Sequence, residues 1–520
     1  MDESVPNFAS LADIYCDTST AGGIPLDLST RWNSLLSLFR ETYGCAPDFV
    51  ARSPGRVNII GEHIDYSLYD VLPMAVTADV LVAVNVLSSP LVKIANLDAE
   101  RFPSQEFHIP VEGDIEIDAS KHEWTNYFKA GLKGALQFLR RKCEGDWNPA
   151  GMEIVIDGIV PAGGGMSSSA ALVCASALSV MVANSHDVSK RDLLDLAVVS
   201  ERAVGVFSGG MDQAASIFSK RDYLLDCAFF PSFHAEHVPV PRSNPEITVL
   251  VAQSFVAADK HVTAPKNYNL RVVECTFAAL ILAKLHQVLL KPDSSPLGFS
   301  LRNAQEEIMR KQNRLDQAPE EQLMAMISIA EEKLQKKDGY TREDLADILG
   351  TSVKNLEEEH MSRFPVQADK FQLRSRALHV FSEARRVFDF KKILSDVQNA
   401  HGGLGEQELR LLGNLMNATQ KSCSEVYDCS CPELDQICAI ARQAGTYGSR
   451  LTGAGWGGCT VHLLPQSNVE KVTKALKEEY YSKHFSNMTE EKLKQALVIS
   501  KPSSGSAVVT GAAMEFHHSI

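Results

Sequence analysis

The run from Met152 to Ala183 constrains this chain more than any other feature, because it reads as a strand, a glycine loop and a helix in immediate succession. Met152–Ile159 (MEIVIDGI) alternates apolar and polar residues as a half-buried strand does. Ser168–Ala183 (SSAALVCASALSVMVA) is Ala-rich and apolar on most faces, which predicts a buried helix. Between them lies Pro161–Ser167 (PAGGGMS). Glycines let a backbone approach a ligand closely, and the amides and macrodipole of the following helix start favour an anion, so phosphate is the natural guest. The serine hydroxyls suit phosphate oxygens or a magnesium ion. Without a lysine the loop is no Walker A motif, and taken alone it also fits a flexible Gly/Ser turn.

Composition narrows the class. At roughly 100–200 residues per domain, 520 residues predict two to four domains, each able to bury a core. With 51 basic and 65 acidic side chains the net charge is −14, which argues against nucleic acid or an anionic membrane as partner. The most apolar stretch, Cys275–Ala283 (CTFAALILA), is too short to span a bilayer. The start Met1-Asp2-Glu3 lacks the basic and apolar regions of a secretory signal. Eleven scattered cysteines fit reduced thiols and a cytoplasmic location. Cys423, Cys429, Cys431 and Cys438 do not match common zinc spacing.

The expected fold class is α+β (α/β mixed). Val71–Val86 reads as strand, Asn269–Leu290 as helix, and Glu331–Lys337 before Gly339 as a solvated helix end. Thr341-x-x-Asp344 marks a helix start. Arg450–Leu464 (RLTGAGWGGCTVHLL) is a glycine run entering a strand, with an amphipathic helix following around Val469–Tyr481. An α/β domain to about residue 240 and a second one beginning near the strand Val249–Phe255 are expected.

Two further segments carry chemistry. Pro54-Gly-Arg-Val-Asn-Ile-Ile-Gly-Glu-His-Ile-Asp-Tyr66 clusters Arg56, Glu62, His63 and Asp65 around two glycines, a set suited to sugar hydroxyls, although a charged surface turn has the same spacing. Gly453-Ala-Gly-Trp-Gly-Gly458 formally satisfies G-x-G-x-x-G, but a strand rather than a helix follows it, which excludes the dinucleotide reading. A glycine run entering a strand instead implies that another chain segment or a ligand lies against it.

These three segments, in this order, resemble the GHMP sugar and small-molecule kinases, and Gly55–Tyr66 (GRVNIIGEHIDY) resembles the signature peculiar to the galactokinases among them. The resemblance extends through Gly209-Gly-Met-Asp-Gln213, Asn267-Tyr-Asn-Leu-Arg271 and the Gly453–Gly458 run, from about residue 45 onward. It implies a two-domain GHMP kinase fold with the active site in the cleft between the domains. The implied division is an N-terminal extension over 1–34, an N-terminal domain over 35–240 and a C-terminal domain over 241–520. The extension and a helical insertion over about 295–400 resemble the fungal galactokinases and the N-acetylgalactosamine kinases.

The implied activity is ATP-dependent phosphorylation of the C1 hydroxyl of galactose, the step that opens galactose catabolism. By resemblance Asp212 is the catalytic aspartate and Arg56 the arginine beside it. Glu62, His63, Asp65, Gly210, Asp212 and Tyr268 hold the sugar. Gly163, Gly164, Gly165, Ser167, Ser168 and Ser169 cradle the triphosphate, Trp124 lines the adenine pocket, and Ser169 with Glu201 binds magnesium. Core packing is the other reading of Trp124. In this chemistry Asp212 accepts the hydroxyl proton or only orients the hydroxyl, while Arg56 favours its ionised form.

The resemblance leaves two rivals. One is N-acetylgalactosamine as substrate, against which Tyr268 weighs. The other is a galactose- and ATP-gated regulatory protein that binds a transcriptional repressor, against which the complete Ser167-Ser-Ser-Ala-Ala171 and Asp212 weigh. A ligand-dependent protein partner in addition to catalysis, and a monomeric state, are also expected.

Overall fold

A computed structural model describes residues 3–15, 25–118, 123–142, 147–161, 165–202, 209–256, 263–362 and 364–511. Its largest sheet has seven strands, in the spatial order Asn7–Phe8, Ala507–Val509, Phe49–Ile60, Leu72–Leu87, Gly151–Gly158, Leu91–Asn96 and Gln105–His108. Val-rich, β-branched sequence builds its centre, where Phe49–Ile60 and Leu72–Leu87 pair antiparallel. Along Leu72–Leu87, Leu81 and Ala83 enter one core while Val82 and Val84 enter the other, the two-residue period of a pleated strand.

Both faces of this sheet are covered. Helix Leu26–Tyr43 lays Trp32, Leu35, Leu36 and Phe39 on one face. The helix Ser168–Ala183 is buried against the other, as its composition predicts. The strand Gly151–Gly158 is therefore buried along almost its whole length rather than half-buried. Its polar residues are buried with partners: Glu153 pairs with Lys93 at 3.0 Å, and Asp157 pairs with Arg31. Polar alternation here reports ion pairs, not solvent.

The second sheet runs Gly448–Thr452, Cys459–Pro465, Ile247–Gln253, Leu497–Ser500, all antiparallel. Helices Pro432–Ala444 and Val469–Leu476 cover one face. The chain then returns, and Ala507–Val509 joins the first sheet beside Val50–Arg52. Among the described residues between 295 and 400 come five helices, Leu301–Lys311, Pro319–Lys333, Arg342–Leu349, Val353–His360 and Leu373–Asn399. The expected start at Thr341 is a full capping box with Asp344. The preceding helix stops at Lys333, short of Lys337, and the chain reaches Gly339 without helical backbone.

One buried ion network ties the first sheet together. Asp79 accepts from Arg31 and Arg52, each at 2.5 Å, and from the Tyr15 hydroxyl at 2.8 Å. Arg52 and Asp79 are fully buried, and Arg52 also reaches the carbonyls of Ser504 and Gly505. Removing one partner strands the others' charge, which costs about 3–5 kcal/mol. Asp79→Ala is expected to lose stability of that order in chemical denaturation, with strand Ala507–Val509 losing hydrogen-exchange protection first; a loss below about 1 kcal/mol would mean the arginines find water.

Candidate active site

The described end of the glycine loop, Gly165, packs against the second sheet. Gly165 sits at φ +72°, and a β-carbon there would lie 2.8 Å from the Thr452 carbonyl. Reciprocally, a β-carbon on Gly453 would lie 2.9 Å from the Gly165 carbonyl. The glycine run at 453–458 therefore has another chain segment against it, and that segment is the phosphate loop. Just beyond, Ser167 occupies the left-handed region at φ 55°, uncommon for a residue with a side chain, and caps the helix Ser168–Ala183. Gly163 and Gly164 lie outside the described residues.

Asp212 stands where this loop meets the strand Phe49–Ile60. It opens the helix Met211–Phe218 behind Gly210. The Arg56 guanidinium donates to Asp212 Oδ1 from Nε at 2.7 Å, with its NH2 at 2.6 Å. Ser167 Oγ donates to the other oxygen, Oδ2. Arg56 also donates to the Gly165 carbonyl, at 2.5 Å. One carboxylate is thus oriented by the sugar-type signature on one side and by the phosphate-type loop on the other.

Asp65 and Tyr268 look onto the same place. A β-carbon on Gly209 would meet Asp65 Oδ2 at 2.3 Å, so Asp65 packs against the turn that leads to Asp212. Burial first, and the Asp212 charge second, push the Asp65 carboxyl up to about 6, against a smaller pull from His63. The half-buried Tyr268 phenol is raised well above its ordinary value by burial and by the charges of Asp65, Asp212 and Glu62, against Arg56.

Glu62 and His63 sit deeper. Burial pushes the Glu62 carboxyl up to about 7 despite Arg450, His63 and Arg56, and Arg450 pairs with its Oε2. His63 has both ring nitrogens engaged, Nδ1 with the Tyr66 hydroxyl and Nε2 with the Ala454 carbonyl, each at 2.9 Å. A carbonyl only accepts, so Nε2 carries the proton. His63 thereby ties the signature turn to the 453–458 run, and it bonds to a ligand only by exchanging a protein partner.

A cavity of about 950 Å³ opens from the helix start at Ser168 and Ser169. Phe102, Trp124 and Tyr127 line one end, and Phe255 and Phe485 line it from the second domain. Trp124 is a cavity wall, anchored by its indole N–H to the Pro103 carbonyl at 3.1 Å. Inside the mouth, Ser169 Oγ donates to Glu201 Oε1 at 2.7 Å, and the Gln213 amide donates to the other oxygen of this buried carboxylate.

Sequence reasoning missed Arg450, which is buried on Glu62, and Phe102, Tyr127, Phe255 and Phe485 in the cavity wall. None belongs to a local pattern; the Arg450–Glu62 pair spans 388 positions.

A glycine loop at a helix start, a cavity of nucleotide size opening there and an aspartate held against the loop define a small-molecule kinase of the GHMP class. The GHMP kinases N terminal domain model matches residues 126–220 and the GHMP kinases C terminal model residues 400–482, while the galactokinase galactose-binding signature matches residues 37–86. A galactokinase of Saccharomyces cerevisiae is 40% identical over 514 residues, covering 94% of this chain and 97% of that protein. One of Dictyostelium discoideum is 38% identical over 477 residues, covering 89% and 90%. The crystal structure of Lactococcus lactis galactokinase complexed with galactose shares the fold, with a TM-score of 0.62 at 23% identity over 91% of this chain and 98% of that one. The chain belongs to the galactokinase family, and it is a sugar kinase.

The raised Asp65 carboxyl fixes the sign of a pH effect. Its charge costs fold stability as pH climbs through about 6, and over the same interval the ionised form becomes available to accept a sugar hydroxyl. The KM for sugar is expected to rise several-fold from pH 7.5 to 5.5, and Asp65→Asn to raise KM throughout and flatten that rise. Steady-state kinetics across this range check it; the same acid rise in the variant would assign the titration elsewhere.

Proposed function

We propose that this protein transfers the γ-phosphoryl group of ATP to the C1 hydroxyl of α-D-galactose, giving galactose 1-phosphate. The observation that carries the reading is Asp212, held by Arg56 at one oxygen and by the phosphate-loop Ser167 at the other. Phosphoryl transfer needs in-line placement and charge neutralisation more than covalent help, and this arrangement supplies the placement.

The nucleotide occupies the cavity, its adenine beside Trp124 and its phosphates at the amides of Gly163, Gly164, Gly165, Ser167 and Ser168, where the helix macrodipole favours negative charge. Ser169 and Glu201 offer a hydroxyl and a carboxylate oxygen, the hard donors magnesium takes, and these two would hold the ion, with Gln213 steadying Glu201. When bound, magnesium neutralises triphosphate charge.

The sugar lies against Asp65, Tyr268 and Gly210, with Glu62 accepting through Oε1, since Arg450 holds Oε2. His63 joins it by giving up Tyr66 or Ala454. Asp212 takes the C1 proton at Oδ2, where the Ser167 hydroxyl is the one donor to give way, whereas Arg56 holds Oδ1 with two N–H groups; general-base help of this kind contributes about 10²–10⁴ in rate. Arg56 then lies beside the charge that develops as the hydroxyl attacks.

Nine described cysteines are free thiols, which supports a reducing, cytoplasmic setting. Among the described residues no helix is long and apolar enough to cross a membrane.

ADP release with ATP–Mg²⁺ and, separately, galactose, N-acetylgalactosamine and mevalonate tests the reading, with galactose expected to be turned over best. Asp212→Ala is expected to abolish that turnover while nucleotide binding stays nearly intact; full activity would end the base assignment. Tyr268→Phe removes one hydrogen bond, so KM for galactose is expected to rise about three- to tenfold.

A further inference from the structure

The turn Gly61-Glu62-His63, which carries the sugar-facing signature, is bracketed by unusual backbone: Gly61 at φ +103° and His63 at φ +60°. A conformation of that kind persists only where its surroundings over-determine it. Val71, Arg450 and the Ala454 carbonyl pack on it, and so does the helix Leu373–Asn399, more than 300 positions away in sequence. A β-carbon on Gly61 would lie 3.1 Å from Val387 Cγ2 of that helix.

Two polar side chains of the helix grip the turn itself. Glu383 Oε1 accepts the backbone N–H of Gly61 at 2.8 Å and of Glu62 at 3.1 Å. Its other oxygen, Oε2, accepts from Thr419 Oγ1 at 2.8 Å and Arg386 Nε at 2.7 Å. Glu383 is fully buried; although burial works to raise its carboxyl, Arg386, His379 and Arg450 hold it down to about 2. His379, also fully buried, engages the next link, its Nε2 lying 2.9 Å from the Glu62 carbonyl. That carbonyl can only accept, so Nε2 is the donor, and Ser422 Oγ serves Nδ1 at 2.9 Å.

We propose that Glu383 is a positioning residue for sugar recognition: its carboxylate clamps the Gly61 and Glu62 amides and, with His379 on the Glu62 carbonyl, aims Glu62, His63 and Asp65 at the sugar. Glu383 does not touch the sugar. It acts through the turn, as a supporting group fixes a ligand-binding residue. Polar groups in a hydrophobic helix–turn seam have another use, which is simply to stabilise the fold, and kinetics separate the two. Partial misfolding lowers the active fraction, so kcat falls while both KM values stay put. Mispositioning of the turn raises KM for sugar and leaves KM for ATP, because neither the turn nor Glu383 lines the nucleotide cavity.

The inference rests on the sugar lying against this turn. The test is steady-state kinetics of Glu383→Gln, which keeps the acceptor facing Gly61 but presents an amide where Arg386 and Thr419 donate. KM for galactose is expected to rise about tenfold with KM for ATP unchanged, the scale of a small misplacement of binding groups. Thr419→Val, which removes one donor from the same carboxylate, is expected to give a smaller rise of the same kind and serves if the first variant does not fold. An unchanged galactose KM, a fall in kcat alone, or a parallel rise in both KM values would overturn the proposal. Asp65→Asn distinguishes the two readings. If it leaves the galactose KM unchanged, the sugar is not at this turn; if it raises KM while Glu383→Gln does not, only the clamp is wrong.

Discussion

Gly165 and Gly453 bring two backbones together where no side chain fits, and the spacing between the two sheets is set there. Bonds cross the same seam on either side. The Asn58 amide donates to Thr452 Oγ1 at 3.0 Å, and Arg450 donates to the Asn58 carbonyl at 2.8 Å. Glycine loses more chain freedom on folding than any other residue, so a doubled glycine contact costs stability. The return is geometric. The phosphate loop is pressed onto the strand that carries the second domain's edge, and Ser167 and Arg56 then reach one carboxylate from opposite sides.

Around that carboxylate, burial alone does not decide the charge state. Glu62, Asp65 and Glu383 are all buried, yet the first two rise to about 7 and about 6 while the third falls to about 2. The difference lies in fixed donors. Glu383 has two backbone amides, a hydroxyl and a guanidinium. Asp65 has backbone amides, those of Tyr66 and of Asp65 itself, but no cation strong enough to offset burial and the facing Asp212 carboxylate, and Glu62 has one arginine on one oxygen. The structural carboxylate is therefore fully paired by protein, and the two on the sugar side are under-paired. Such groups gain most from the hydroxyls of a neutral polyol, which supply donors without bringing a counter-charge.

Local pattern and local chemistry were legible in the sequence; distant supports were not. The strand, glycine loop and helix over 152–183 could be read because strand alternation, glycine and helix composition are short-range signals, and the Thr341 capping box could be read for the same reason. The 453–458 run could be rejected as a dinucleotide site because a strand follows it. The polar alternation of Gly151–Gly158 misled, since Glu153 and Asp157 satisfy partners supplied from Lys93 and Arg31 rather than from water. Arg450, His379 and Glu383 left no trace, because each meets the signature turn across more than 300 positions and their own neighbourhoods read as ordinary strand or amphipathic helix.

That last group changes what the helical segment means. Read as sequence, about 295–400 is a helical insertion. In the fold its final helix, Leu373–Asn399, packs on the signature turn. Val387 touches Gly61, Glu383 and His379 hold the turn, and farther along Lys391 pairs with Asp226 and lies 3.6 Å from Asp70. The helix Pro319–Lys333 packs on its outer side and contributes none of the bonds that hold the turn. The part of the segment that bonds to the signature turn thus begins at Leu373, and the outer layer stands apart from it. A helix with one face on the signature turn and the other under a surface layer cannot shift without moving both.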